Sequence, residues 1–182
     1  MNQKENHQLL VDLLKFAYSA ELAAAYAYQG HWRSVRNPEE RTKIQEIEQD
    51  EWHHRKLVGE MLESIGEHPS RGLEFKNFLI GKVVGFLCHL SGWFAPMYGA
   101  GKIERRNIKE YELAARYARN SGREEWVDCL LTMAEVEWEH EQYFRSQVEK
   151  HFFSRLVPIW PLPPPKPMIR ASFLAETPKI NA

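Results

Sequence analysis

The chain has only two cysteines, Cys88 and Cys129, 41 positions apart and in no CxxC pair. That spacing gives no support to a zinc ribbon, a rubredoxin-type knuckle or a disulfide scaffold, and two free thiols in a reducing compartment are expected. A basic excess is also missing. Twenty-four Lys and Arg stand against 25 Asp and Glu, a formal net charge of −1, so a phosphate backbone is not the expected partner and nucleic acid is set aside. No apolar h-region opens the chain, because Leu9-Leu10-Val11 is interrupted by Asp12 and Lys15; no signal peptide is expected and the cytoplasm is the default location. Proline is scarce before residue 158, where only Pro38, Pro69 and Pro96 occur, and the other seven of ten follow Val157. A length of 182 residues, 43% hydrophobic and 27% charged, fits one globular domain over 1–157 with a Pro-rich tail over 158–182.

Between the prolines the aliphatic residues recur at three- and four-residue spacing, and few runs alternate with period two, so the body reads as all-α. Asn37-Pro38-Glu39-Glu40 is a helix start: asparagine caps, proline takes the first turn, and two acids complement the dipole. That helix is expected to run to about Ser64 and stop at Gly66 and Pro69, and the last long helix to run from near Gly122 to the region of Phe153. The tail, with PLPPPKP, is expected to be extended or wrapped over the surface and to carry no catalysis.

The core-facing stripes hold the informative residues. They run Leu14, Ala17, Glu21, Ala24, Tyr28, His31 on the first helix and Ile44, Ile47, Glu51, His54, Val58, Met61, Ile65 on the second. A third runs Met97, Ala100, Glu104, Ile108, Tyr111, Ala115, Ala118, and a fourth Trp126, Leu130, Met133, Glu137, His140, Phe144. Each apolar stripe carries a glutamate at its middle, and two add a histidine three residues later, on the same helix face. Isolated buried carboxylates cost several kcal/mol, so four of them need a common reason. A shared pair of cations supplies one, since two glutamates plus two Glu-x-x-His pairs is the ligand set of carboxylate-bridged di-metal helical bundles.

A repeat supports the same set. Glu21 and Glu104 are 83 residues apart, while Glu51 and Glu137, like His54 and His140, are 86 apart; EWHH and EWEH match locally, and Tyr28 and Tyr111 each lie seven residues beyond a glutamate. The chain reads as a duplicated helical hairpin. Rivals remain at each position: His53 for His54, Glu48 for Glu51, Glu110 for Glu104, and Glu135 or Glu141 for Glu137. Arg55 or Arg105 could instead pair with the buried acids. Asp50 and Asp128 are candidates to orient the histidines. Tyr28 and Tyr111 are either core residues with satisfied hydroxyls or hydrogen-bond donors to ligands, and His31 is ambiguous in the same way.

Phe78 to Gly101 has Lys82 as its only formal charge and five glycines. Pro96, the glycines and the direct lead into the Glu104 helix argue against a membrane span. The segment reads as a long crossover between the hairpins, either capping the core or lying in a membrane interface with Trp93, Phe94 and Tyr98 as anchors.

Glu21, Ala24, Tyr28 and Gly30, then Glu51-x-x-His54, Glu104 with Tyr111, and Glu137-x-x-His140, resemble the ferritin-like di-iron superfamily. Within it the chain is most similar to the demethoxyubiquinone hydroxylase family, including the Gly85-Phe86 pair in the crossover; the resemblance covers about residues 10 to 150. His31 stands where that family usually has glutamine, and the Pro-rich tail is not part of its pattern. The resemblance implies a ferritin-like four-helix bundle built from two hairpins. It implies two iron ions (Fe2+/Fe3+) held by Glu21, Glu51, His54, Glu104, Glu137 and His140, with Tyr28 and Tyr111 beside the reaction. Its implied partners are O2, a hydrophobic polyprenyl quinol-like substrate hydroxylated at a lipid interface, and an electron donor. It implies peripheral contact of 78–101 with the inner membrane face and leaves room for a homo-oligomer. Two other readings compete: a rubrerythrin-like peroxide reductase or ferroxidase, and a metal-free helical scaffold.

Overall fold

A computed structural model describes residues 2–176 of the chain. Those residues form six α-helices and no strand: α1 (Gln3–Ser34), α2 (Pro38–Ser64), α3 (Arg71–Cys88), α4 (Phe94–Asn120), α5 (Val127–Lys150) and α6 (Lys166–Ala175). The protein is an all-α helical bundle, as the stripes require. It divides into two compact units, Leu14–Pro96 and the described residues on either side of that segment.

In the Leu14–Pro96 unit, α2 begins where the sequence places it. Asn37 caps it, its side chain accepting from the Glu39 N–H at 2.9 Å, with Pro38 in the first turn. Such a cap stabilises a helix by about 1 kcal/mol. The helix ends at Gly66, whose φ of 73° is a left-handed conformation that suits glycine. The buried stripe of α2 is Ile44, Ile47, Glu51, His54, Val58, Met61 and Leu62.

Residues 78–101 are not one crossover element. They comprise the end of α3, a turn through Gly92, and the start of α4. α3 packs on α1 through glycine: a methyl group on Gly30 would overlap the Gly85 carbonyl, and one on Gly81 would meet the backbone of Ala23. With small residues turned inward, α3 turns its large apolar ones outward. Phe75, Leu79, Val83 and Phe86, with Leu90 just beyond the helix, recur at three- to four-residue spacing and are 46–67% exposed. α3 thus keeps one face on α1 and leaves a large apolar face exposed. The expected anchors are engaged within the protein instead: Trp93 Nε1 donates to Glu40 at 2.7 Å and Tyr98 Oη to the Pro158 carbonyl at 2.8 Å, while Phe94 is half-buried. No helix among the described residues is long and apolar enough to cross a membrane.

In the other unit, α4 buries Met97, Ala100, Glu104, Ile108, Tyr111, Ala115 and Ala118, and α5 buries Leu130, Met133, Glu137, His140 and Phe144. The tail, expected to be extended or wrapped over the surface, lies on α5 and is partly helical. Residues 158–165 have no regular secondary structure, and α6 follows, starting at the Lys166-Pro167 step where proline suits a first turn. α6 docks on α5 through Arg170, which pairs with Asp128 at 2.6 Å and Glu135 at 2.8 Å. Ile169 and Phe173 are buried, and the Trp138 indole donates to the Pro164 carbonyl at 2.9 Å. The last part of the tail, 177–182 with Pro178, lies outside the described residues.

The glycine contact sets a stability expectation. Gly30→Ala forces α1 and α3 apart and should cost about 1–3 kcal/mol of unfolding free energy. Gly72→Ala, in α3 with open space around it, should cost nothing. Thermal or urea melts of the two variants check this, and equal melting would contradict it.

Candidate metal centre

In the Leu14–Pro96 unit, α1 brings Glu21 and α2 brings Glu51 and His54. Their relative exposures are 3%, 0% and 2%, and one ligand atom from each lies within 4.8 Å of the others. In the other unit, α4 brings Glu104 and α5 brings Glu137 and His140, at 0%, 0% and 2% exposure, again with ligand atoms within 4.8 Å of one another. Each triad follows from helix geometry. Residues three apart on one turn share a face, and the apolar residues around them sink that face into the core. Within the second triad His140 Nδ1 lies 3.6 Å from Glu137 Oε2.

The rivals are occupied elsewhere. His53 is exposed. Glu48 accepts from the Trp32 indole at 2.6 Å and the Trp52 indole at 3.3 Å. Glu110 pairs with Arg106, Glu135 with Arg170, and Glu141 with Arg145. Asp128 is 85% exposed and bound to Arg170, which corrects its expected part in orienting a histidine. Of the arginines considered as counter-charges, one is engaged elsewhere. Arg55 donates to the Tyr18 carbonyl and pairs with Glu74, and the buried Nε of Arg105 meets no acceptor.

The donor chemistry fits a divalent transition metal. Carboxylate oxygen and imidazole nitrogen suit iron, manganese or zinc, and neither triad contains a thiolate that would favour softer ions. One supporting residue escaped the sequence reading: Asn107 Nδ2 donates to Glu104 Oε2 at 3.1 Å. It sits three residues after Glu104, where a side chain on the same helix face reaches back. Such a bond fixes the orientation of the carboxylate.

Tyr28 and Tyr111 are buried at 5% and 3% exposure. Tyr28 stacks on His31, ring centroids 6.3 Å apart and planes 20° from parallel. Burial pushes the His31 imidazole well below its ordinary value, to about 4, because a charged ring is poorly solvated there. His31 is therefore neutral in the folded chain near pH 6, where the unfolded chain begins to take up a proton. Its contribution to stability is complete above about pH 6.5 and is lost as pH falls toward 4, amounting to about 3 kcal/mol at the acid end. The apo-protein should lose stability over that window, and His31→Gln should flatten that part of the profile in urea melts.

Against known families, residues 8–117 match the model for "Ubiquinone biosynthesis protein COQ7". No curated protein matches the chain, and no solved structure does. The matched span takes in Glu21, Glu51, His54 and Glu104, while Glu137 and His140 lie beyond it. It covers more than half of the chain, with the helical pattern and the first Glu-x-x-His in place, and so the chain belongs to the COQ7 family of ubiquinone-biosynthesis proteins, a ferritin-like di-iron family.

Proposed function

We propose that the chain is a di-iron monooxygenase that uses O2 to hydroxylate the ring of a hydrophobic, polyprenyl quinol-like substrate. The observation that carries this reading is the pair of buried Glu-Glu-His triads, the second of which draws Glu137 and His140 from beyond the matched span. Glu21, Glu51 and His54 together with Glu104, Glu137 and His140 hold the metals. The four carboxylates carry four negative charges, equal to two divalent cations, and the neutral imidazoles add none. Two irons, when bound, supply the activation of O2.

The chain's own residues do the rest. Asn107 holds the Glu104 carboxylate. Ile44, Ile47, Val58, Ile108, Leu130 and Met133, all at 0–2% exposure, keep the helix faces around the triads dry. Low polarity strengthens every ligand–metal attraction and suits an apolar substrate. Tyr28 and Tyr111 wall the same faces, seven residues beyond Glu21 and Glu104.

The quinol ring is delivered from lipid, and the exposed face of α3 is where this chain meets it. Phe75, Val83, Phe86 and Leu90 form the apolar side of an interfacial helix rather than of a span. Val83→Asp/Phe86→Asp should abolish sedimentation with liposomes that carry the wild-type chain down. Retained binding by this variant would remove the lipid contact from the reading.

The metal content decides the chemistry. After anaerobic Fe(II) loading and desalting, wild type should retain close to two irons per chain, and His54→Ala/His140→Ala few. Loaded wild type supplied with O2 and electrons should then hydroxylate a demethoxy-quinol. No retained iron would return the chain to a metal-free scaffold. Rapid reaction of the ferrous form with hydrogen peroxide but slow reaction with O2 would make it a peroxide reductase.

A further inference from the structure

The two halves of the chain keep their helices locked in different ways, and the difference falls on the tail. In the Leu14–Pro96 unit the lock is made by α1 and α2 themselves. Tyr18, three residues before Glu21, lays its ring against Gly59, where a methyl group would come within 2.9 Å of it. Arg55, the residue after His54, stacks its guanidinium 3.6 Å over that ring and donates to the Tyr18 carbonyl. Ring, glycine and arginine hold α1 against α2 one turn from the triad.

The offsets that relate Glu21 to Glu104 and His54 to His140 carry these three positions to Gly101, Arg145 and Glu141. The aromatic ring has gone from α4, and a glycine stands in its place. The tail returns the ring. Trp160, 6% exposed, occupies the space a Gly101 side chain would need, next to Phe144. Its indole Nε1 donates to Glu141 Oε1 at 2.6 Å. Arg145 lies 4.9 Å over its ring, donates to the same Glu141 oxygen at 2.7 Å, and donates to the Trp160 carbonyl at 3.0 Å. Tyr98, one turn earlier on α4, packs edge-on against Trp160 at 5.3 Å. The same three chemical parts are present in both halves, with their positions exchanged and the aromatic supplied from 160.

We infer that Trp160 is a positioning residue for the Glu104–Glu137–His140 triad. It is the wedge that sets α4 against α5, the part Tyr18 plays for Glu21, Glu51 and His54. The geometry acts at short range. Gly101 is three residues before Glu104, and Glu141 follows His140 directly, so a slide of α4 on α5 at the wedge moves all three donors. The inference rests on the di-iron reading, and the tail thereby belongs to the metal site although it contributes no ligand.

The test is anaerobic Fe(II) binding by the full chain at low temperature, followed by equilibrium dialysis, with circular dichroism to establish that each variant is folded. Wild type should bind two irons. Trp160→Ala should weaken one of the two at least tenfold, the scale on which residues supporting metal ligands act, and leave the other unchanged. Trp160→Phe keeps the ring and should recover most of the loss. Gly101→Ala, which pushes the ring out while leaving Trp160 present, should reproduce it and carries the test if Trp160→Ala does not fold. A wedge that served stability alone would lower the melting temperature of the variants and leave both iron affinities as in wild type; that outcome overturns the inference and spares the di-iron reading. Wild type that binds no iron overturns both.

Discussion

Four glutamates with 0–3% of their surface exposed are the constraint on which the rest of this structure depends. An ion taken out of water into a protein interior costs several kcal/mol even after relaxation, and the apolar residues of the stripes offer no counter-charge. A pH-driven escape, with the carboxyls protonated, would give four buried acids and no reason for a histidine to stand three residues after two of them. Cations answer both points at once: they neutralise the carboxylates and make use of the imidazoles. The polar groups nearest in sequence agree with that. Arg55 and Arg145, each within one or two turns of a ligand histidine, point their guanidiniums at Glu74 and Glu141. Those two positive side chains are engaged with other carboxylates than the four glutamates of the triads.

A site that depends on helix register needs helices that cannot slide, and small residues provide this more firmly than large ones. Leucine packing tolerates repacking, because rotamers can change. A backbone seated on a backbone, as Gly30 on Gly85, has no rotamer to change. The cost appears on the opposite face of α3, where large apolar side chains have nothing in the described chain to cover them. One choice, glycine inward, thus fixes α1 and also creates an exposed apolar surface.

Much of this was legible from residue order. Cap, stripe and stop of α2 follow from Asn37-Pro38, the i, i+3, i+4 spacing and Gly66, because those signals are local and each has a single physical meaning. The six ligand candidates were readable for the same reason, as polar residues at core positions of a periodic pattern. What stayed hidden depends on distant partners. Glycines at 81 and 85 read only as an argument against a membrane span until α1 is seen against them. Trp93 and Tyr98 read as membrane anchors until Glu40 and Pro158 supply acceptors. PLPPPKP reads as an extended or surface-wrapped tail because proline-rich composition describes the backbone and is silent about the one tryptophan directly before it.

The comparison of the two halves shows which features a duplicated site has to keep. The glutamates and histidines recur in register because each answers to charge and coordination, for which no other position on the helix will serve. The packing parts answer only to volume. An aromatic ring between two helices fixes their spacing whether it grows from the first helix, as Tyr18 does, or arrives from elsewhere, and the glycine that receives it can sit on either helix. Volume can be met from any direction, and so the second half was free to exchange Tyr18, Arg55 and Gly59 for Gly101, Glu141 and Arg145 once Trp160 was at hand. Once that exchange is made the tail is no longer dispensable, because α4 has given up the side chain that could have replaced it.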